Sequence, residues 1–328
     1  MFEYVQWTCI RTFVNISLFV RRSSWVSPTT QPNRVKTYHS SRTNLFACRI
    51  FYPHDHNGKQ IIPLVIRVHG GGFLLNNPAV DDPIARHLAD RAQCVVISID
   101  YSKAPQYKFP AAYEDVVEQI LKIIDDPDLP LDRSRVILCG ASAGGNLVLA
   151  AAQDPRLRAK IASVAAVYAV VDLVPKGKAK TATRPDPSVP DFMGGSYDGI
   201  SGLLFDDANK PALTDVRISP TYFTSRDSLP PQVLLIGAEH DMFCHEAEAM
   251  ADKLAGSERK ADAEGGWQVP GVRWYKVRNE AHAFDQFQAK DPERERARSG
   301  AIDDMNSVIV DFLDEVLSPK TAKDVVPS

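Results

Sequence analysis

Five short apolar runs, "IIPLVIRVH", "CVVISID", "RVILCG", "IASVAAVYAVV" and "QVLLIGA", recur along the chain, each followed by a stretch with helical spacing. A strand with one wet face alternates apolar and polar residues; these runs are apolar almost throughout, the pattern of strands covered on both faces. Parallel neighbours cannot be joined by a tight turn and need a crossover, usually a helix. The alternation therefore predicts an α/β domain with a mostly parallel, doubly wound sheet. "RVKTYHS" and "LFACRIFYP", separated by the polar "SRTN", read as an antiparallel pair ahead of it. "VRWYKV" reads as the last strand. In the final helix Ile302, Met305, Val308, Ile309, Phe312, Leu313 and Val316 recur at spacings of three and four, which gives one buried stripe.

Two segments break this rhythm. "VPKGKAKTATRPDPSVPDFMGGSYDG" is too rich in Pro, Gly and Lys for a core and reads as the entry to an inserted lid. "AGSERKADAEGGWQVPG" reads as a long surface loop before "VRWYKV", and "PHDHNGK" as a polar hairpin turn with positive backbone angles at Asn57-Gly58. The expected organisation is a lid helix and linker over residues 1–40, a core over 41–173 and 229–328, and an inserted lid over 174–228. With 328 residues, 44% of them hydrophobic, the chain can bury a full core. The opening "MFEYVQWTCIRTFVNISLFVRR" is interrupted by Thr8, Arg11, Thr12 and Asn15, which argues against a spanning helix. It reads as an amphipathic helix packed on the domain, with a membrane-surface anchor through residues 1–22 as the alternative.

A net charge of −3 and the lack of a Lys/Arg block with interleaved aromatics exclude nucleic acid as an expected partner. Five scattered cysteines without a CxxC pair read as reduced thiols, so a cytoplasmic protein is expected. "HDH" at 54–56 and "HDMFCH" at 240–245 lack metal-ligand spacing, and neither metal nor cofactor is expected.

The chemistry concentrates in "CGASAGGN". The strand "RVILCG", the turn Gly140-Ala141-Ser142-Ala143-Gly144 and a helix start form G-x-S-x-G in its strand-turn-helix context. Small neighbours there leave room for a sharp turn that exposes the serine hydroxyl. Upstream, His69-Gly70-Gly71-Gly72 follows a strand, and glycines let backbone amides approach an oxygen that becomes charged during acyl transfer. Gly71, Gly72 and Ala143 are the expected donors. A serine needs a base, and the base an orienting acid, in the chain order Ser, Asp or Glu, His. Asp241 ends the strand "LLIGA" and its turn; His282 follows the last strand. Glu239, Glu246 and Glu280 stay open as alternative acids, and His240 and His245 read as parts of the Asp241 loop and helix.

Together these motifs resemble the α/β-hydrolase fold and, within it, the hormone-sensitive-lipase-like HGGG carboxylesterases, the group of arylacetamide deacetylase. The resemblance runs from about residue 45 to 317 through "HGGGF", "DYSKAPQYKFPAAYEDV", "GASAGGN", the Ser-Pro at 219–220, "GAEHDMF" and "HAF". It implies Ser142 as nucleophile, His282 as general base, Asp241 as orienting acid, an oxyanion hole from Gly71, Gly72 and Ala143, and support from His69, Gly70, Gly140 and Gly144. It also implies a lid built from the N-terminus and from an insertion after the sixth strand. Two departures, Ala141 for a family Asp and Gln106 for a family Glu, bear on substrate preference. The activity implied is hydrolysis of a small to medium hydrophobic acyl ester through an acyl-enzyme. Two alternatives stay open: a thioesterase or acyl-transferring enzyme of secondary metabolism, and a non-catalytic ligand-binding member of the fold. Monomer and homodimer are both compatible with the final helix.

Overall fold

The computed structural model describes residues 30–318 apart from 43, 192, 207–210 and 260–264, together with helical positions Cys9 and Thr12. The expected N-terminal lid helix therefore lies, except for those two positions, outside the described residues. Nine strands form one sheet: β1 (Arg34–His39), β2 (Leu45–Phe51), β3 (Ile62–Val68), β4 (Val95–Ile99), β5 (Leu131–Ala141), β6 (Ser163–Val167), β7 (Gln232–Ala238), β8 (Gly266–Val269) and β9 (Val272–Val277). Their order is β1-β2-β4-β3-β5-β6-β7-β9-β8. From β4 to β9 every pairing is parallel, while β1, β2 and β8 add antiparallel edges.

Among the described residues from 30 onward the α-helices are α1 (Asp82–Arg91), α2 (Ala111–Ile124), α3 (Ala143–Ala152), α4 (Gly177–Thr181), α5 (Tyr197–Gly202), α6 (Cys244–Ala255) and α7 (Pro292–Leu317). Alternate residues of each central strand face opposite layers, as the period of two requires. Leu64, Ile66, Val233 and Leu235 pack with Ile120 of α2, Leu147 of α3 and Met250 of α6. Val65, Leu234 and Ile236 pack with Leu88 of α1 and with Met305, Ile309, Phe312 and Leu313 of α7. The expected stripe of the last helix is thus buried, with Ile302, Val308 and Val316 half-buried along its rim. Asp291 starts that helix by accepting from the amides of Glu293 and Arg294, with Pro292 at its first position.

The structure departs from the sequence expectation in three places. "GWQV" is not loop: it pairs antiparallel with β9, Trp267 opposite Trp274, because an apolar pair can cover the edge of the last parallel strand. "PHDHNGK" is not a hairpin, since β2 pairs with β4 and not β3; only Gly58 has positive φ, and the Asn57 side chain accepts from the Lys59 and Gln60 amides. The sixth strand ends at Val167, before the full apolar run is used, and Val170 and Leu173 instead join a third cluster with Leu74, Met193, Tyr197, Leu204 and Phe243. That cluster joins the segment between β6 and β7 to the carboxyl end of the sheet.

No described helix is long and apolar enough to cross a membrane.

Candidate active site

Ser142 sits between β5 and α3 with φ 54° and ψ −121°, a conformation that costs a non-glycine residue on the order of 1 to 3 kcal/mol. The surroundings enforce it. A Cβ on Gly144 would stand 2.0 Å from the Val68 carbonyl oxygen, so only glycine lets α3 start this close to β3. The Ser142 amide donates to Val167 O at 2.9 Å, and its carbonyl accepts from Asn146 N at 3.0 Å. Gly140 is equally closed to a side chain, whose first carbon would lie 2.4 Å from Gly144 O.

The imidazole of His282 lies 2.9 Å, through Nε2, from Ser142 Oγ. Its Nδ1 is 2.6 Å from Asp241 Oδ2, while Asp241 Oδ1 accepts from the Phe243 amide at 2.9 Å. With Nδ1–H donating to the carboxylate, Nε2 carries the lone pair that faces the serine hydroxyl. The residues come from three separate loops at one end of the sheet, 140 and 41 positions apart in the chain. His282 and Asp241 are both buried. Burial favours the neutral imidazole, but the Asp241 carboxylate outweighs it, and with Asp191 and Asp285 it holds the His282 pKa above its ordinary 6.5.

The rings of Tyr168 and Phe243 pack edge-on against the His282 imidazole, each with its centroid 5.1 Å away. Tyr168 is fixed in turn by donating to Asp285 Oδ1 at 2.6 Å. Neither ring is legible as part of the site in the sequence, where Tyr168 falls in the apolar strand run "IASVAAVYAVV" and Phe243 ends the "GAEHDMF" motif. Of the alternative acids, Glu239 accepts from Arg278 and the Asn279 amide, Glu246 pairs with Lys180, and Glu280 pairs with Arg294. Asp241 alone among these carboxylates meets the imidazole. His240 lies in the turn and His245 in α6, as expected.

On the other side of the serine, Gly72 and Ala143 line the same cavity as Ser142, mostly apolar, with Phe73, Val170, Leu173, Met193 and Phe243 among its walls and Tyr197 and Ser201 as further polar-bearing residues. Gly71, with φ 131°, turns its carbonyl to the amides of Leu74 and Leu75. Gly70 brings that loop against the serine: its absent Cβ would lie 3.1 Å from Ser142 Cβ. His69 is buried behind the loop, with its Nδ1 2.7 Å from Gly70 O. Its Nε2 is 3.0 Å from Asp100 Oδ1, and its ring stacks on Tyr101 at 4.6 Å. Burial alone would raise the Asp100 carboxyl; Lys103 and His69 reverse this and hold it well below the usual carboxylate range. The sequence motif gave no hint of Lys103, whose ammonium lies 3.8 Å over the Tyr101 ring. The histidines of "HDH" are used locally: His54 Nδ1 lies 2.8 Å from Asp90, and the His56 ring bonds to its own turn at Gly58 and Gln60.

A strained serine between a parallel strand and a helix, and an imidazole and carboxylate reaching it from later loops, define an α/β hydrolase. Residues 65–267 match the family described as alpha/beta hydrolase fold. The chain is 31% identical over 230 residues to an arylesterase of Saccharolobus solfataricus, a match covering 67% of this chain and 68% of that one. It is 28% identical over 235 residues to arylacetamide deacetylase of Oryctolagus cuniculus, covering 68% of this chain and 52% of that protein. Among solved structures, the thermostable carboxylesterase EstE1 from a metagenomic library superposes with a TM-score of 0.74 at 23% identity, covering 95% of this chain and 98% of that one. The chain belongs to the alpha/beta hydrolase fold family, in the hormone-sensitive-lipase-like branch that its motifs resemble.

Proposed function

We propose that the protein is a serine carboxylic-ester hydrolase acting on small to medium hydrophobic acyl esters. The observation that carries this reading is the continuous hydrogen-bond chain Ser142 Oγ, His282 Nε2, His282 Nδ1, Asp241 Oδ2 opening into an apolar cavity beside Gly72 and Ala143. Ser142 attacks the ester carbonyl while His282 takes its proton; Asp241 keeps the imidazole in the tautomer that can do so and stabilises the imidazolium. The amides of Gly71, Gly72 and Ala143 receive the tetrahedral oxyanion. His282 then returns the proton to the departing alcohol, and water repeats the sequence on the acyl-enzyme. The Ser142 strain has a use here: it presents the hydroxyl beyond the carboxyl end of the central strand β5, toward His282 and the cavity.

The insertion over 174–228 is proposed as the cover of this site. Met193, Tyr197, Ile200 and Leu204 line the cavity that holds Ser142, and a Cβ on Gly72 would come within 3.4 Å of Ile200. Excluding water there strengthens every electrostatic interaction inside. The names arylesterase and carboxylesterase among the relatives agree with ester chemistry, and arylacetamide deacetylase names the same acyl transfer to water from an amide. The test is labelling by a fluorophosphonate, with the modified residue mapped, alongside hydrolysis of p-nitrophenyl acetate and butyrate. Modification at Ser142 with loss of ester hydrolysis is the expected result; labelling elsewhere, or full hydrolysis by Ser142→Ala, refutes the assignment.

A further inference from the structure

The insertion does more than cover the cavity, because three of its charged side chains reach the short segment that carries Asp241. Arg184 Nε donates to the carbonyl of His240 at 2.7 Å. Asp191 Oδ2 accepts from the amide of Met242 at 3.3 Å, and its Oδ1 accepts from Met193 N at 2.9 Å. Both side chains are buried, 4% and 1% exposed, and lie 3.9 Å from each other. The peptide groups on either side of Asp241 are therefore both held by the insertion. Further along, Lys180 Nζ bonds Glu246 of α6, donates to Asp172 O at 2.5 Å and lies 5.1 Å over the ring of Phe243. Phe243 is the residue whose amide holds Asp241 Oδ1 and whose ring packs on His282.

Apolar contacts alone would dock a cover without the desolvation penalty that buried charges carry. Directional bonds to a backbone carbonyl and a backbone amide do something apolar contacts cannot: they set the position of that backbone. From the opposite side, His240 N donates to Glu280 O, which ties the acid's turn to the loop bearing His282. We propose that Lys180, Arg184 and Asp191 form a polar clamp through which the docked insertion positions the Asp241 turn, so that the acid–base pair reaches its working geometry only when the insertion is seated. These are positioning residues, and the inference rests on the assignment of Asp241 and His282 made above. The charged groups around the imidazole are Asp241 from its turn, Asp191 from the insertion and Asp285 from the following loop, with the Tyr168 and Phe243 rings between them.

The experiment compares Arg184→Met, Arg184→Lys and Asp191→Asn in the full chain, with kcat and KM for p-nitrophenyl butyrate measured per mole of folded enzyme across the acid side of the pH profile. The clamp predicts a fall in kcat of about 10- to 100-fold with KM within about twofold, the size expected when reacting groups are displaced by about 1 Å. Arg184→Lys should recover part of the loss. Asp191→Asn should also move the acid limb to lower pH, since a negative charge that favours the imidazolium is gone. Folded variants with wild-type kcat and an unmoved limb overturn the proposal, whatever their melting temperatures. Should the variants not fold, hydrogen exchange on the wild-type chain decides: protection of 239–243 lost together with that of 180–193 supports the clamp, and independent opening of the two segments overturns it. A wild-type chain inactive on every ester defeats the functional reading instead, while the exchange result still judges the clamp.

Discussion

The two sides of the proposed site are held by different physics. Ser142 is placed by backbone: α3 and the second half of β5 are buried, the serine amide is bonded to β6, and Gly144 passes so close to β3 that no side chain fits. Asp241 and His282 depend in addition on side chains, through Phe243 and Tyr168 rings, the Asp241–His282 bond, and bonds from a segment far away in sequence. The nucleophile side resists small changes until it breaks, whereas the acid–base side can be tuned. An enzyme with this division can keep its attacking atom fixed while loops adapt to different substrates.

The largest expected effect breaks the shared function of both sides. Ser142→Ala should lower kcat by roughly 10³- to 10⁶-fold, and combining it with His282→Ala should add little, since residues acting as one unit are not additive. Steady-state kinetics on p-nitrophenyl butyrate measures both. Asp241→Asn comes next, with a loss of about 10⁴-fold expected in kcat, because an amide no longer enforces the tautomer that leaves Nε2 free. A near-normal rate in that variant would mean that the rings and the turn suffice to orient His282.

Gly144→Ala probes the rigid side. The added methyl must displace backbone rather than a flexible side chain, so a destabilisation of about 1 to 3 kcal/mol is expected, read as a lower midpoint in urea unfolding. Phe243→Leu, by contrast, should leave the unfolding midpoint closer to wild type and act mainly on rate. The smallest effect is on pH. The base must be neutral to accept the serine proton, and its pKa is held above 6.5 by Asp241 and its neighbours, so kcat/KM should fall as pH drops through a value above 6.5. Asp285→Asn, removing one of those charges, should shift that limb downward. An acid limb below 6.5 in the wild type would show that burial, not Asp241, dominates the imidazole.

Much of this arrangement could be read from the chain before any coordinates. Gly140, Ser142 and Gly144, the glycines after His69, and the positions of Asp241 and His282 just past strand ends are local signals, set by backbone sterics and by which side chains can donate or accept. The strand "GWQV" is not legible in the sequence, because four residues beside a Gly-rich stretch carry too little pattern to distinguish an edge strand from loop. Lys180, Arg184 and Asp191 were hidden for another reason: in a segment rich in Pro, Gly and Lys, a charge that will be buried looks the same as one that stays in water. Lys103 behind the oxyanion loop is a further case, buried against Tyr101 and Asp100 though nothing beside it in the chain announces that.

By itself, the sequence determined the alternation of strands and helices, the strained turn at Ser142 and the small residues around it, because each depends on the preferences of neighbouring residues along the chain. Only the tertiary structure decided which carboxylate meets His282, which rings hold it, and how the insertion grips the turn of Asp241. Those outcomes depend on contacts between segments tens of residues apart, and a side chain's partner across that distance is chosen by packing and desolvation rather than by its own neighbours.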